Sequence, residues 1–378
     1  MNFAFSPEQE EFRTMLARFA AERCSLEHTR RISETDSGYD AELWKQMAQE
    51  LGLTGVAIPE SYGGQGYSYL ELGLALEQLG RTLAGGPLFA TCCLAAPAIV
   101  NAGSEDDKKE LLPGIAAGKT IATLAVSEGS AQTQPSTITA TCRESGGQWQ
   151  VSGAKSYVVD AQNADLIIIA AREAGSTGSS GISLIAVQAD APGVVIEPVD
   201  SLDPTRRLAH VKLDDVAGRM LGSAGQAWPA LSRTLDQAAI LLTAEQVGGA
   251  ARCLDMAVQY SKERIQFGRQ IGSFQAIKHR AAAVKLDLEL ARSAAYWSWW
   301  IASEHDEELE QAASIARSVC SDAYLHAAAE NIHIHGGMGF TWEADPHLYY
   351  RRAKWSATLL GDPTLHRARI ADSLGFGA

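Results

Sequence analysis

The spacing of apolar residues changes twice along the chain and divides it into three blocks. In the first block, residues 1–118, apolar side chains recur every three or four positions, as they do between Phe12 and Phe19, and this spacing predicts amphipathic helices. Ser6 followed by Pro7 is typical of a helix start, because Ser caps the first turn and Pro suits its first residue. Later in the block we expect helices near 41–51 and 70–83 and a glycine-punctuated loop over 58–66.

Residues 119–221 have a different pattern, in which Ser, Thr, Gly and β-branched residues dominate. A turn over 144–147, with two glycines, lies between two short runs of strand-forming residues and predicts a β-hairpin. Other short runs of this kind are separated by turns that carry Gly, Ser, Pro and Asp. The block is therefore predicted to be a small all-β domain, a barrel or a sandwich, with strands over 137–142, 149–151, 166–170, 182–187, 194–198 and 210–213.

Residues 222–378 return to helical spacing over much longer stretches. Long helices joined by short connections favour a four-helix bundle. The predicted fold is thus mainly α with a central β domain: an N-terminal helical domain (1–118), a middle β domain (119–221) and a C-terminal four-helix bundle (222–378). The bundle helices are expected over about 227–262, 273–300 and 307–335, with a fourth that starts near 362.

Composition narrows the classes of function. The 378 residues carry a net charge of −13, whereas a nucleic-acid binder would need a basic surface. The six cysteines are scattered with no C-x-x-C pair, which argues against a disulfide framework or a zinc site and fits a reducing compartment. The N-terminus lacks the basic and apolar regions of a signal peptide, and no apolar run is long enough to span a membrane. We therefore expect a cytoplasmic protein without a membrane span, a metal site or a nucleic-acid partner.

One carboxylate is a candidate for acid–base chemistry. Glu245 lies inside the otherwise apolar stretch 238–248. A buried carboxylate has a raised proton affinity and suits the work of a general base. On the outer face of the helix, the same side chain would be an ordinary solvated Glu, and the pattern alone leaves both interpretations open.

Three other features also have two interpretations. Arg264 and Arg269 follow the end of a predicted helix, where they could hold phosphates or simply complement the helix dipole. The glycines of 336–339 could let a ligand approach the backbone or could cap a helix. The aromatic cluster over 296–300 is expected to belong to the core or to a subunit interface rather than to a cofactor site.

Six segments match, in order along the chain, the motifs of one enzyme family. They are FSPEQ at 5–9, IPESYGG at 58–64, LAVSE at 124–128, SGAKSYV at 152–158, RIQFG at 264–268 with Gln275, and HGGMGF at 335–340. With these motifs and its helical, β, helical block order, the sequence resembles the acyl-CoA dehydrogenase family over nearly its full length.

The resemblance implies an FAD-dependent enzyme that removes hydrogen from the α and β carbons of an acyl-CoA thioester. In this family a glutamate takes the α proton, the β hydrogen passes as hydride to flavin N5, and an electron-transfer flavoprotein accepts the electrons. The resemblance also implies the residues that contact FAD. They are Leu124, Val126, Ser127, Tyr157 and Val159 in the middle domain, and Arg264, Gln266, Phe267, Gln275, His335, Gly336, Gly337 and Gly339 in the C-terminal domain.

The catalytic base is not where most of the family has it. The usual glutamate position is Leu360, and a second known position is Ala238. Glu245 lies seven residues after Ala238, which returns it to within about 20° of the same helix face, about 10 Å further along. We expect Glu245 to be the base, as in heteromeric members that act on bulky steroid-CoA thioesters, whose glycine loop and 361–363 segment are similar to those of this sequence. The rival carboxylate, Asp362, is expected to cap the last helix.

The expected flavin contacts also depart from the family pattern. Val159 replaces a threonine, Asp160 replaces an asparagine, and 129–132 lacks the usual glycine–serine pattern. These changes suggest that the chain shares its FAD site with a second, different acyl-CoA dehydrogenase-like subunit in an α2β2 assembly, with a homo-oligomer as the alternative. Two other functions stay open, a non-catalytic partner subunit and a flavin oxidase or monooxygenase on the same fold.

Overall fold

The structure is a computed structural model, and it describes residues 5–129 and 134–376. The chain divides into two compact units. The first unit comprises Met1–Arg30, Tyr69–Ala84 and Ala239–Ala378, and the second comprises Arg31–Ser68 and Gly85–Ala238. Each unit is built from segments that are distant in sequence, so neither one corresponds to a single block of the sequence pattern.

The second unit contains a closed β-barrel. Strand β4 pairs with β2, and the pairing continues through β3, β7 and β5 back to β4, while β1 joins β4 in parallel and β6 joins β7 antiparallel. Alternate residues of these strands, such as Val151, Ile167, Ile169 and Val211, fill the interior. The strands are β1 (Ala122–Ala125), β2 (Thr141–Ser145), β3 (Gln148–Val159), β4 (Leu166–Glu173), β5 (Ile182–Gln188), β6 (Val194–Val199) and β7 (Leu208–Met220).

The predicted middle β domain is confirmed, with two differences in strand length. β3 and β7 are much longer than predicted, because polar residues on their outer faces interrupt the apolar pattern while the backbone pairing continues. β2 begins at Thr141 rather than at residue 137, because Pro135–Thr137 form a short 3-10 turn.

Short helices accompany the barrel in the second unit. Ser104 and Asp107 form a capping box that starts one of them. Gly52, with a φ of 66°, follows the predicted helix over 41–51, whose last residues form a π-helical turn. The helices are α3 (Ala41–Lys45), α5 (Ala96–Ala102) and α6 (Glu105–Ala116), and α2 (Leu26–Ser33) crosses the boundary between the units.

The first unit is a bundle of long helices. α1 (Pro7–Arg23) starts with a capping box between Ser6 and Gln9, as the sequence predicts. The other helices are α4 (Tyr69–Arg81), α8 (Gln275–Glu304), α9 (Leu309–His335), α10 (Pro346–Thr358) and α11 (Pro363–Ser373), and α7 (Trp228–Glu263) contributes the part that follows Ala238. α9 packs against α8, α10 and α11. Within the aromatic cluster, Trp299 of α8 is buried in the core, whereas Tyr296, Trp297 and Trp300 are partly exposed.

One bundle helix, α10, is absent from the sequence-based prediction. Its buried face carries His347, Arg352 and Ser356 among the apolar residues. These polar side chains interrupt the apolar spacing from which a helix is recognised. The predicted fourth helix near 362 is present as α11.

Two glycines let α4 and α7 cross at close range. A Cβ atom added to Gly80 would lie 2.6 Å from the backbone oxygen of Glu245, and one added to Gly248 would lie 2.0 Å from the backbone oxygen of Glu77. The two backbones therefore touch at this crossing, and no larger residue fits at either position.

The six cysteines are buried free thiols. Within residues 5–129 and 134–376, no helix has the length and hydropathy needed to cross a membrane.

Candidate functional site

Glu245 is buried in the first unit and paired with a cation. Its carboxylate oxygen Oε2 lies 3.3 Å from Nη1 of Arg352 on α10. The side chains are 6% and 2% exposed, respectively, so the open choice between a buried and a solvated Glu245 is settled in favour of burial. Arg352 was not a predicted site residue, because an arginine on a helix is far more often solvated than buried.

A hydrogen-bonded network continues from the next residue of α7. The Gln246 side-chain amide donates to the hydroxyls of Ser321 on α9, at 3.1 Å, and Ser356 on α10, at 3.2 Å. The backbone oxygen of Ser356 in turn accepts a hydrogen bond of 2.8 Å from Arg317. All these side chains are buried, so the network ties α7, α9 and α10 together beside Glu245.

The same network extends to the loop that follows α10, where most of the family has its base. Arg317 Nη2 also donates to the backbone oxygens of Leu359, at 2.8 Å, and Gly361, at 3.2 Å. Leu360 lies between them with a φ of 60°, and its backbone oxygen is 3.1 Å from His366 Nε2. The loop is therefore held through its backbone, independently of the side chain at position 360.

Burial lowers the pKa of both side chains that hold this loop, Arg317 and His366. Desolvation lowers the pKa of Arg317 to about 10. Desolvation, reinforced by the charges of Arg317 and Arg369, lowers the pKa of His366 to about 3, so that this imidazole is neutral at pH 7.

Asp362 has a structural role, as predicted. Its carboxylate accepts a hydrogen bond of 2.8 Å from the backbone N–H of Leu365 and caps α11.

The predicted flavin residues that follow α7 form an exposed hairpin of β8 (Ile265–Gln266) and β9 (Arg269–Gln270). Phe267 is at its tip with a φ of 55° and is 90% exposed. Arg264 and Gln266 are exposed as well, as is Gln275 in the first turn of α8. Arg269 lies over the ring of Phe274, at 4.1 Å from its centroid. The charge and the aromatic ring of this hairpin are thus available to a ligand or to another chain.

The glycine segment Gly336–Phe340 forms a 3-10 turn directly after α9. Gly336, with a φ of 61°, ends the helix, and nothing lies within 4 Å of a Cβ atom built on Gly336 or Gly337. Gly339 instead packs against α9, where an added Cβ would be 2.9 Å from the backbone oxygen of Ile332. The His335 ring stacks on Tyr260 at 4.2 Å, which links this segment to the end of α7. Gly336 and Gly337 therefore combine the helix-ending role with open backbone that a ligand can approach.

In the second unit, the predicted flavin residues lie on two adjoining segments. The backbone N–H of Ser156 donates to the oxygen of Ser127 at 2.8 Å. The side chains of Leu124, Val126 and Val159 are buried and point into the protein. Tyr157, by contrast, lies at a bulge of β3 with a φ of 56° and is 49% exposed. Of the altered 129–132 segment, residues 130–132 lie outside the described residues.

A buried ion pair contacts these segments, and the sequence did not indicate it. Lys155 Nζ lies 2.5 Å from Glu128 and 3.2 Å from the backbone oxygen of Val126. Burial alone would raise the pKa of Glu128, but Lys155 and hydrogen bonds from Thr139 and Ala140 outweigh it and hold that pKa below its usual value. The pair fixes the backbone of the segment that the resemblance assigns to the flavin.

Each unit has described residues that suit one part of a flavin dinucleotide. In the first unit, the open backbone at Gly336 and Gly337 and the exposed Arg264 suit an anionic pyrophosphate. In the second unit, the half-exposed Tyr157 offers a ring face beside the backbone of Ser127. No three His, Cys, Asp or Glu side chains of the described residues come together as metal ligands would.

Comparison with known proteins gives a consistent result along the chain. Three family models match: acyl-CoA dehydrogenase N-terminal domain over residues 6–119, middle domain over 123–216 and C-terminal domain over 225–375. Acyl-CoA dehydrogenase IpdE2 of Mycobacterium tuberculosis is 33% identical over 356 residues, which cover 94% of this chain and 94% of that protein.

Solved structures are similar over nearly the whole chain. Butyryl-CoA dehydrogenase from Megasphaera elsdenii superposes with a TM-score of 0.91 at 27% identity, covering 99% of this chain and 100% of that chain. A structure described as a variant of the Tcur3481-Tcur3483 steroid ACAD gives a TM-score of 0.87 at 30% identity, covering 97% of this chain and 98% of that chain.

Proposed function

Because this chain belongs to the acyl-CoA dehydrogenase family, we propose that it removes hydrogen from the α and β carbons of a bulky acyl-CoA with Glu245 as the base. The family supplies the coarse activity, a flavin-dependent oxidoreductase that acts on acyl-CoA thioesters. The identity of the base, the size of the acyl group and the assembly are the proposal.

FAD is the cofactor of this family, and when bound it accepts the β hydrogen as hydride. The residues that would hold it are Arg264, Gln266, Phe267 and Gln275 of the hairpin region, the backbone of 335–339, and Tyr157 with the backbone of 124–127. The buried ion pair between Lys155 and Glu128 holds the backbone of 124–127 in place, because Lys155 also donates to the backbone oxygen of Val126.

The observation that carries the proposal is the burial of Glu245 beside Arg352. Leu360 and Ala238, at the two familiar base positions, have no group that accepts a proton. Glu245 does, and the network through Gln246 connects its surroundings to the loop that carries Leu360. A carboxylate held away from water by the protein suits removal of the weakly acidic α proton.

The acyl group is proposed to be bulky, and a steroid side chain is the specific candidate. Support comes from the similarity to the Tcur3481-Tcur3483 steroid ACAD at 30% identity. A base placed further along α7 than Ala238 also suits an acyl-CoA that occupies more of the site than a short chain does.

A second subunit of the same family is the proposed partner. Ile265 and Phe267 on the hairpin, and Met338, Phe340 and Trp342 after α9, are exposed apolar side chains on one unit. Such a set is typical of a surface that another chain covers. The Tcur3481-Tcur3483 structure carries the names of two components, which favours a heteromer. An electron-transfer flavoprotein is the proposed electron acceptor, and the six free thiols fit a cytoplasmic location.

The test is Glu245→Gln in the assembled enzyme, with Glu77→Gln as the matched control. Glu77 is also a buried bundle carboxylate, and it accepts a hydrogen bond of 3.0 Å from Tyr296. We expect E245Q to bind FAD normally but to reduce it with acyl-CoA at least about a hundredfold more slowly, and E77Q to stay far closer to the wild-type rate. Near-normal flavin reduction by E245Q would exclude Glu245 as the base and favour the non-catalytic partner subunit.

A further inference from the structure

We infer that Arg352 is a positioning residue for Glu245, which fixes the orientation of its carboxylate inside the bundle. This inference rests on the proposed role of Glu245 and extends it to a second helix. Nothing in the sequence pattern assigns Arg352 to the site, because the segment that carries it does not register as a helix.

The first step of the argument is the environment of the carboxylate. Glu245 is 6% exposed, and a buried carboxylate needs partners that satisfy its oxygens. Arg352 Nη1 lies 3.3 Å from Oε2, and its planar guanidinium sets the direction in which the carboxylate faces.

The second step is that contacts on both sides of Arg352 hold α10 in place. The hydroxyl of Tyr349 donates to the backbone oxygen of Arg81 on α4 at 2.6 Å. The hydroxyl of Ser356 accepts from Gln246 of α7, and Arg317 of α9 binds the backbone at the C-terminal end of the helix. Arg352 lies between these contacts along α10, so they hold its backbone at the distance from which its side chain reaches Glu245.

The third step concerns the other charged groups on the helices around this part of α7. On α4, Glu77 is bonded to Tyr296, and Arg81 forms an ion pair of 2.6 Å with Asp255. On α9, Arg317 is directed to the backbone oxygens at the end of α10. Each of these groups has a partner of its own, and Arg352 is the cation on α10 that contacts Glu245.

The experiment compares Arg352→Met and Arg352→Lys in the assembled holoenzyme, with Arg317→Lys as the control. Arg317 is another fully buried arginine of the bundle, but its hydrogen bonds are to backbone oxygens. The measurements are the separate values of kcat and KM, the flavin content and Tm.

We expect R352M to lower kcat at least about a hundredfold with little change in KM, because the proposed base loses the group that orients it. R352K should lower kcat at least about tenfold with little change in KM, because an ammonium group lacks the planar fork. R317K should lower Tm while its kcat stays much closer to the wild-type value.

A near-normal kcat in flavin-loaded R352M would overturn the inference. If R352M does not assemble, an unchanged kcat in R352K would overturn it instead. The outcome is separable from the proposed function: a near-normal E245Q removes Glu245 as the base, whereas an inactive E245Q combined with a near-normal kcat in R352M removes only the role of Arg352.

Discussion

Replacing Gly248 by alanine tests the close crossing of α4 and α7, next to the proposed base. The added Cβ would lie 2.0 Å from the backbone oxygen of Glu77, whereas real Cβ atoms essentially never come closer than 3.0 Å to another atom. Because the obstacle is backbone, the helices must separate by about 1 Å. Overpacking of this kind costs about 3 kcal/mol at the upper end of its range, and alanine returns about 1 kcal/mol through its helix propensity.

The net loss of about 2 kcal/mol corresponds to a fall of roughly 2.5 °C in Tm for a chain of 378 residues. Gly248 is one turn from Glu245, so a shift of about 1 Å there should also slow flavin reduction by up to about a hundredfold. The assays are thermal denaturation and stopped-flow reduction by acyl-CoA. Gly337→Ala is the control for stability, since nothing lies within 4 Å of its Cβ position. A G248A protein that melts at or above the wild-type temperature would refute the reasoning, because helix propensity would then be the dominant effect.

Three further predictions concern the loop after α10. Asp362→Ala should remove the cap of α11 and cost about 1 kcal/mol in a denaturant titration, while turnover falls by far less than the roughly hundredfold that loss of a base costs. Because the buried His366 has a pKa of about 3, the unfolded chain takes up its proton first, so stability is complete above about pH 6.5 and falls by up to about 1.4 kcal/mol per pH unit below it. His366→Gln should reduce that loss between pH 7 and pH 5, and an equal loss in both proteins would contradict the assignment. Leu360→Glu in the E245Q background should restore flavin reduction at least about tenfold, because the loop is held through its backbone; no recovery would mean that position 360 does not reach the substrate.

Much of the fold was predictable because local signals and tertiary packing agree. The start of α1 at Ser6 and the cap of α11 at Asp362 follow from backbone groups that a neighbouring side chain can satisfy. The long bundle helices α7, α8 and α9 and the strands of the barrel follow from apolar periodicity. β3 and β7 were underestimated because their pairing continues through outer-face polar residues that carry no apolar signal.

The candidate site was predictable only in part. Glu245 could be selected as a carboxylate in an apolar stretch, but a single sequence does not say which way a helix faces. Its burial follows from the packing of α7 against the rest of the bundle, which involves residues more than a hundred positions away, such as Arg352. Lys155 and Glu128 were missed for the same reason, since each looks like an ordinary surface charge in the sequence.

The sequence by itself determined the three blocks, the helix ends, the family resemblance and the absence of a proton acceptor at positions 360 and 238. Only the tertiary structure decided that Glu245 is buried, that Arg352 is its partner and that Arg317 holds the loop after α10. The physical reason is that buried polar residues cost stability unless a partner from a distant segment satisfies them. Such residues weaken the apolar pattern of the element that carries them, and α10, which carries the buried Arg352 and Ser356, is accordingly a bundle helix that the pattern does not predict.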